Sequence, residues 1–316
     1  MNTLHFKYAV EVEKTGSISQ AAENLFMAQP NLSKSIKELE DSLGIVIFER
    51  TKKGVRPTAQ GKEFLEYAKR ILVQLNRMES IHIPQHDREK RQTLKISIPR
   101  GSYIAAGFAH FVSELDMEKG IEITIQETNS MQAITNITEN GFNLGIIRYQ
   151  TRHENYFTDY LKEKGLSSEL IWAFSCLALM PAHHPNAADA VLEVQALKKN
   201  SIEIIHGDRA VPYLPLSEIQ PSDTAWDPLS KRIFVYERGS ELELLTRVPK
   251  TFMWASPLPQ ELLDRYHLVQ RRCSISGNAF KDVFIYPQDY KLTPIDKLFL
   301  NKLYEMKNEV AFQEYK

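Results

Sequence analysis

Ser17-Ile-Ser-Gln-Ala-Ala-Glu-Asn-Leu25 and Gln29-Pro-Asn-Leu-Ser-Lys-Ser-Ile-Lys-Glu-Leu-Glu-Asp-Ser-Leu43, separated only by Phe26-Met-Ala28, decide how this chain is read. In the first run Ile18, Ala21, Ala22 and Leu25 recur at helical spacing, and Ser17 or Ser19 can cap the start. Ala21 and Ala22 are small enough for a second helix to cross closely over them. In the second run Leu32, Ile36, Leu39 and Leu43 form one apolar stripe, while Gln29, Asn31, Ser33, Lys34 and Lys37 fall largely outside it. Pro30 suits a first helical turn, where its missing N–H costs nothing. Gly44 is a natural stop. The spacing predicts two helices joined by a tight turn.

Working outward, Leu4, Phe6, Ala9, Val10 and Val12 predict an opening helix packed beneath these two. Beyond them the pattern changes to extended pieces at 46–48 and 54–57, which Gly54 would turn back on each other. Arg50, Lys52, Lys53 and Arg56 cluster on this hairpin, diluted by Glu49 alone. A solvated charge run is the plain account of such a cluster.

On these residues the segment 1–61 resembles the winged helix-turn-helix of the LysR-type transcriptional regulators. The matching runs are the first one above, Gln29-Pro-Asn-Leu-Ser33, Ile36-Lys-Glu-Leu-Glu40, Leu43-Gly44, Phe48-Glu-Arg50 and Val55-Arg-Pro-Thr58, with Gly61 closing the module. The resemblance implies a recognition helix in the major groove, its N-terminal residues meeting base edges. Gln29 can offer its amide bidentately to adenine and Pro30 can touch a thymine methyl. Ser33 and Lys34 share the same first turns, with Asn31 and Lys37 on the outer side. Many relatives carry Arg where this chain has Lys34, which lacks the fork geometry for guanine and suits phosphate more. Directly after a helix-turn-helix, Arg50, Lys52, Lys53 and Arg56 are expected to form a wing touching phosphate or the minor groove.

Composition sets the frame. A length of 316 residues suggests about two domains. A hydrophobic content of 43% is ample for a packed core, and a net charge of −1 means that any nucleic-acid surface must be local. The N-terminus lacks the build of a secretion signal. The longest apolar run, 170–182, is shorter than the roughly 20 residues needed to cross a bilayer. The expectation is a cytoplasmic chain with no membrane partner. Cys176 and Cys273 read as buried free thiols rather than a redox pair, and His183-His184 as surface histidines rather than metal ligands. There is no P-loop, no Gly-x-Ser-x-Gly elbow and no His-Glu-x-x-His, so the sequence calls for neither enzyme activity nor a cofactor.

From 58 to 78 the pattern predicts one long helix. Phe64, Ala68, Ile71, Leu75 and Met78 alternate four and three apart as a heptad seam, which Leu65 and Leu72 widen. The seam could pack on its own domain; in the resembling family this helix pairs with its copy, which implies dimerisation through those five residues. The polar run 83–92 reads as a hinge.

Strands at 94–98, 121–125 and 144–147 alternate with helices at 103–115 and from 131 to Gly141, which argues a parallel sheet covered on both faces. Ser102 can cap the first helix and Asn129 or Ser130 the second. A second block follows, with strands at 171–180, 202–205, 233–236 and 251–254 and a helix at 240–248. The strand 283–286 is expected to return to the first block, and a final helix starts at Thr293 and Pro294. Two such lobes resemble the periplasmic-binding-protein-like effector domain of the LysR family, although Arg247-Val-Pro-Lys250 stands where many relatives have a glycine-rich turn.

The fold class is therefore an α+β multidomain chain: a winged helix-turn-helix at 1–58, a linker helix and hinge at 59–92, and a two-lobed α/β effector domain at 93–316. Lobe 1 would take about 93–165 and 270–316, and lobe 2 about 166–269. Ligands of such folds sit in the crevice at the carboxyl ends of the strands. That marks Ser102, Thr128, Asn129 and Arg148, with Tyr213 from the opposing lobe; Ser102 and Thr128 also match the family's effector positions. The first three would equally serve as helix caps, and Arg148 as the partner of a nearby carboxylate. A free Arg148 would favour an anionic effector. The reading is a regulator that binds double-stranded promoter DNA as a homodimer or homotetramer and senses a small molecule. The alternative is a DNA-binding regulator whose C-terminal domain is a protein-interaction module, which the Pro-rich loop 211–221 allows.

Overall fold

The computed structural model describes residues 2–51, 54–79, 91–189, 192–206, 231–273 and 279–313. The chain divides into two compact units, one of Met1–Glu89 with the short run Thr138–Gly141, the other of Lys90–Ile137 and Phe142–Lys316.

The first unit opens with helices α1 (Thr3–Thr15), α2 (Ile18–Asn24) and α3 (Gln29–Leu43). Asn2 caps α1 through the Leu4 N–H, and Ser17 caps α2 through the Gln20 N–H at 3.3 Å. Phe6, Ala9, Val12, Ala21, Ala22, Leu32, Ile36 and Leu39 form the core, so the apolar stripes face inward as their spacing requires. Strands β1 (Phe48–Thr51) and β2 (Gly54–Pro57) pair antiparallel as a wing. α4 (Ala59–Glu79) follows at once.

The wing is held at several points. The Glu40 carboxylate accepts the N–H groups of Ile47 and Phe48 at 2.7 and 3.1 Å. The Val55 N–H donates to the Gly16 carbonyl at 2.8 Å, an approach so close that a Cβ on Gly54 would lie 2.5 Å from that oxygen. At the base of the wing, Thr58 donates to the Val46 carbonyl and accepts the Gly61 N–H.

The second unit holds two five-stranded sheets. Its elements in chain order are β3 (Arg91–Ile98), α5 (Ser102–Ser113), β4 (Gly120–Glu127), α6 (Ser130–Glu139), β5 (Leu144–Gln150), α7 (Glu154–Glu163), β6 (Leu166–Ser175), β7 (Leu177–Pro181), α8 (Val194–Asn200), β8 (Ile202–His206), β9 (Arg232–Val235), α9 (Arg238–Arg247), β10 (Thr251–Ala255), α10 (Gln260–Arg265), β11 (Leu268–Arg271), β12 (Ala279–Pro287) and α11 (Pro294–Phe312). The first sheet runs β4-β3-β5-β12-β6 and the second β11-β7-β10-β8-β9. Period-two alternation explains how the first sheet is covered on both faces. Ile146 and Phe284 join the core under α5 and α11, while their neighbours Ile147, Val283 and Ile285 join the core under α6 and α7. In the second sheet Leu179 and Ile204 pack with α9 and α10, and Ala178, Met180 and Phe252 with α8.

Three expectations are corrected. The first sheet is mixed rather than wholly parallel: β3, β4 and β5 run parallel, but β12 pairs antiparallel with both β5 and β6. The apolar run 171–180 is two strands that separate at Cys176, so β6 belongs to the first sheet and the second begins with β7, not at residue 166. Arg91 and Gln92 are not hinge but the start of β3, because the Gln92 side-chain amide bonds both backbone groups of Asp116. Residues 80–90, and the Pro-rich run 211–221, lie outside the described residues.

Candidate nucleic-acid interface and sensor site

α3 starts without a side-chain cap: Ala28 holds the cap position in extended conformation, Gln29 is the first helical residue and Pro30 lies within the first turn. Gln29, Pro30, Asn31, Lys34 and Lys37 are exposed and Ser33 is half-buried, on the side of the helix away from Leu32, Ile36 and Leu39. Free N–H groups at this end carry the partial positive charge of the helix start. Lys34 lies 3.8 Å from Glu38 one turn on, a loose pair between exposed side chains. Arg50 is exposed on β1, whereas Arg56 is bonded to Glu49 across the hairpin at 2.7 Å. Lys52 and Lys53 lie outside the described residues. Between α3 and the wing is a hollow of about 530 Å³ with Ser33, Lys37, Val46, Phe48 and Arg50 on its walls.

The heptad seam of α4 divides in two. Ala68 is only 1% exposed and belongs to the helical core, and Phe64 packs edge-on against Phe6 at 5.6 Å, so the N-terminal half of the seam is taken up within its own unit. Ile71 and Met78 are 41% and 61% exposed, and Leu75 is half-buried.

In the second unit the carboxyl ends of β3, β4 and β5 bring several of the expected residues to one region. Ser102 is the first residue of α5, with Gly101 in the cap position instead of Ser102. Thr128 is buried and its N–H donates to the Ile98 carbonyl at 2.8 Å. The Asn129 side chain caps α6 by accepting the Gln132 N–H at 2.8 Å. Ser130 donates to the Arg148 carbonyl and accepts the Arg148 N–H, which fixes β5 against the start of α6. Tyr213 lies outside the described residues.

Arg148 is not a free cation in the cleft. Its Nε and Nη2 donate to the two oxygens of Asp282 at 2.6 and 2.7 Å, a bidentate pair, and Asp282 is fully buried. Tyr103 donates its hydroxyl to the same carboxylate. The guanidinium also lies over the Phe174 ring, 4.9 Å from its centroid. Burial pulls the Arg148 pKa down, but Asp282 more than offsets it and leaves the group above its ordinary value, charged throughout. Burial and then the Asp282 charge push the Tyr103 phenol well up, so it remains a donor. A Cβ on Gly101 would sit 2.8 Å from Arg148 Nη2, so that glycine leaves room for the guanidinium.

Asp282 and Tyr103 escaped the sequence reading. The one available signal was a carboxylate set inside the apolar run Ala279–Pro287, which demands a buried partner. A cross-lobe ion pair was also missed: Arg238 at the start of α9 donates to Glu127 at the end of β4 at 2.6 Å.

Among the described residues no group of histidines, cysteines and carboxylates could hold a metal ion, and no helix is long and apolar enough to cross a membrane. The sequence profile of the bacterial regulatory helix-turn-helix proteins of the lysR family matches residues 4–62. The HTH-type transcriptional regulator AlsR of Bacillus subtilis is 25% identical over 221 residues, which cover 70% of this chain and 69% of AlsR. The fold is shared with CbnR in complex with its target DNA, at a TM-score of 0.56 and 16% identity, covering 97% of this chain and 100% of that one. It is shared also with full-length LysG of Corynebacterium glutamicum with bound effector Arg, at a TM-score of 0.54 and 13% identity over 98% of this chain and 99% of that one.

Proposed function

We propose that the chain is a DNA-binding regulator of the LysR type, on the match of residues 4–62 to that family's helix-turn-helix profile and the similarity to AlsR, and that its residues divide the work as follows. Promoter DNA is read by Gln29, Pro30, Asn31 and Ser33 at the start of α3. Lys34, Lys37 and the basic wing, with Arg50 foremost among its described residues, hold the phosphates. The observation that carries this is the arrangement of α3: one face is spent on the core, while the face bearing Gln29, Asn31, Lys34 and Lys37 is left to solvent at an uncapped helix start. Ile71, Leu75 and Met78 form the part of α4 free to meet a second copy, so the protein works as an oligomer.

The two-lobed unit binds a small-molecule effector at the carboxyl ends of β3 and β4, near Ser102 and Thr128. LysG, of similar fold, takes such a ligand. Arg148 shapes this region through Asp282 and does not supply a free charge, so an anionic effector would draw on the start of α5, which has no side-chain cap, instead. A ligand that binds two assembly geometries unequally shifts the population between them and so moves the DNA contacts.

Fluorescence anisotropy with the DNA upstream of the protein's own gene, across a salt series, tests the reading. Wild type should bind with a steep salt slope. Gln29→Ala should lose roughly tenfold or more of the preference over random sequence, and Arg50→Ala should weaken both duplexes alike. Equal preference in wild type and Gln29→Ala removes Gln29 from the base-reading set, and a monomer in sedimentation of the full chain removes the α4 seam.

A further inference from the structure

Between α2 and α3 the chain turns through Leu25, Phe26 and Met27. The Met27 N–H donates to the Ala22 carbonyl and the Phe26 N–H to the Glu23 carbonyl, both at 3.0 Å. This pair of bonds is the Schellman ending of a helix, and it puts Phe26 at the position that takes a left-handed backbone and is ordinarily glycine. Phe26 has a φ of 53°, a conformation that crowds the Cβ of any L-residue and is an outlier for a bulky one. The side chain recovers nothing from the fold. It is 98% exposed, whereas its neighbours Leu25 and Met27 both pack against the helical core. Phenylalanine here is unfavourable in backbone and in solvation, where glycine would be neither.

The surroundings say what the ring faces. Gln29, three residues on, is the first residue of α3, and Ala28, Gln29, Pro30 and Asn31 are all exposed. No carboxylate occurs between Glu23 and Glu38, a stretch that contains Lys34 and Lys37. An apolar ring three residues before the exposed start of α3, whose first two turns carry no carboxylate, suits the thymine methyl, the apolar feature that the major groove presents.

We infer that Phe26 is a DNA-contacting residue that packs on a thymine methyl at the edge of the site read by α3. The inference rests on the DNA-reading face proposed above and adds to it a contact from the turn. It gives the strained position a purpose: the two backbone hydrogen bonds of the turn fix the direction in which the ring leaves the chain, so little backbone freedom is lost on binding.

The test uses the full chain as wild type, Phe26→Gly and Phe26→Asn, since both replacements tolerate a left-handed backbone. Each is titrated onto the duplex that wild type selects from a random-sequence pool. Each is also titrated onto copies in which single thymines are replaced by deoxyuridine, which removes only the methyl. Both variants should melt at or above the wild-type temperature yet bind the selected duplex about tenfold more weakly. At one thymine, deoxyuridine should weaken wild type severalfold and leave both variants unchanged. Variants that bind as tightly as wild type overturn the inference, which is the result expected if Phe26 serves a protein partner. Deoxyuridine losses equal in all three proteins at every thymine overturn it too. If Gln29→Ala loses its preference while the Phe26 variants do not, this inference alone fails; if wild type selects no duplex, the DNA-reading proposal itself fails.

Discussion

The helix-turn-helix and the candidate effector region both present polar residues at helix starts, and they use them in opposite ways. At α3 the start is uncapped and Gln29, Asn31 and Lys34 point away from the core. At α6 the start is closed by Asn129, and at β5 the one cation is locked by Asp282. A polar side chain that the fold has not engaged is available to a partner. One that the fold has engaged is part of the scaffold, whatever its position in a crevice suggests. Position in a motif therefore predicts function better in the first region than in the second.

The sharpest way to break this contrast is Arg148→Ala. If Arg148 is scaffold, its loss strands a buried carboxylate and costs about 3–5 kcal/mol. Met1–Glu89 contains no tryptophan, while Trp172 and Trp254 lie in the second unit, so selectively excited tryptophan fluorescence in a urea titration of the full chain follows that unit. The midpoint should fall steeply. An unmoved midpoint together with a lost effector response would return Arg148 to the ligand.

A smaller effect concerns His184, expected at the surface but in fact buried. Its Nδ1 accepts the Asn186 N–H at 3.1 Å, which leaves Nε2 to donate to Ser201 at 3.0 Å. Burial, then the charges of His183 and Lys250, lower its pKa from the ordinary 6.5. The fold holds the neutral ring, so the unfolded chain binds more protons as the solution is acidified. The stability this contributes is whole above pH 6.5 and declines below it, by at most about 1.4 kcal/mol per pH unit for one proton. Urea midpoints between neutral and mildly acid pH should show this limb, and His184→Gln should flatten it. A wild type whose acid limb matches that of His184→Gln would show that the ring is not held neutral.

The smallest effect belongs to the DNA module. Lys34→Ala removes a loose, exposed pair with Glu38 and should change stability by less than about 0.5 kcal/mol. It should also lower the salt slope of DNA binding by about one. A large loss of stability would place Lys34 with Arg148 instead.

What the sequence revealed follows the range of the interactions involved. The caps and stripes of α2, α3 and α11 are local: Ser17, Gly44 and the Thr293–Asp296 capping box act within a few residues of themselves. The break between β6 and β7 has no local mark, because 171–180 is apolar on both sides of Cys176 and only pairing with β12 or β10 assigns each half to its sheet. Likewise Arg148 and Asp282 are far apart in the chain. The arginine was visible as a candidate, while the carboxylate that engages it was not. In α4 the heptad spacing was legible, but not that Ala68 would be claimed by α1 and its neighbours.

The junction at Ile47 has a mechanical consequence. The Ile47 carbonyl accepts the Thr58 N–H at 2.9 Å and sits where a Cβ on Gly61 would lie only 2.0 Å away, while its N–H is held by Glu40 of α3. The base of the wing, the first turn of α4 and the far end of α3 thus share one residue as their fulcrum. A displacement of α4 at this junction is therefore passed to the base of the wing and to α3 through hydrogen bonds and a close backbone contact rather than through a loop.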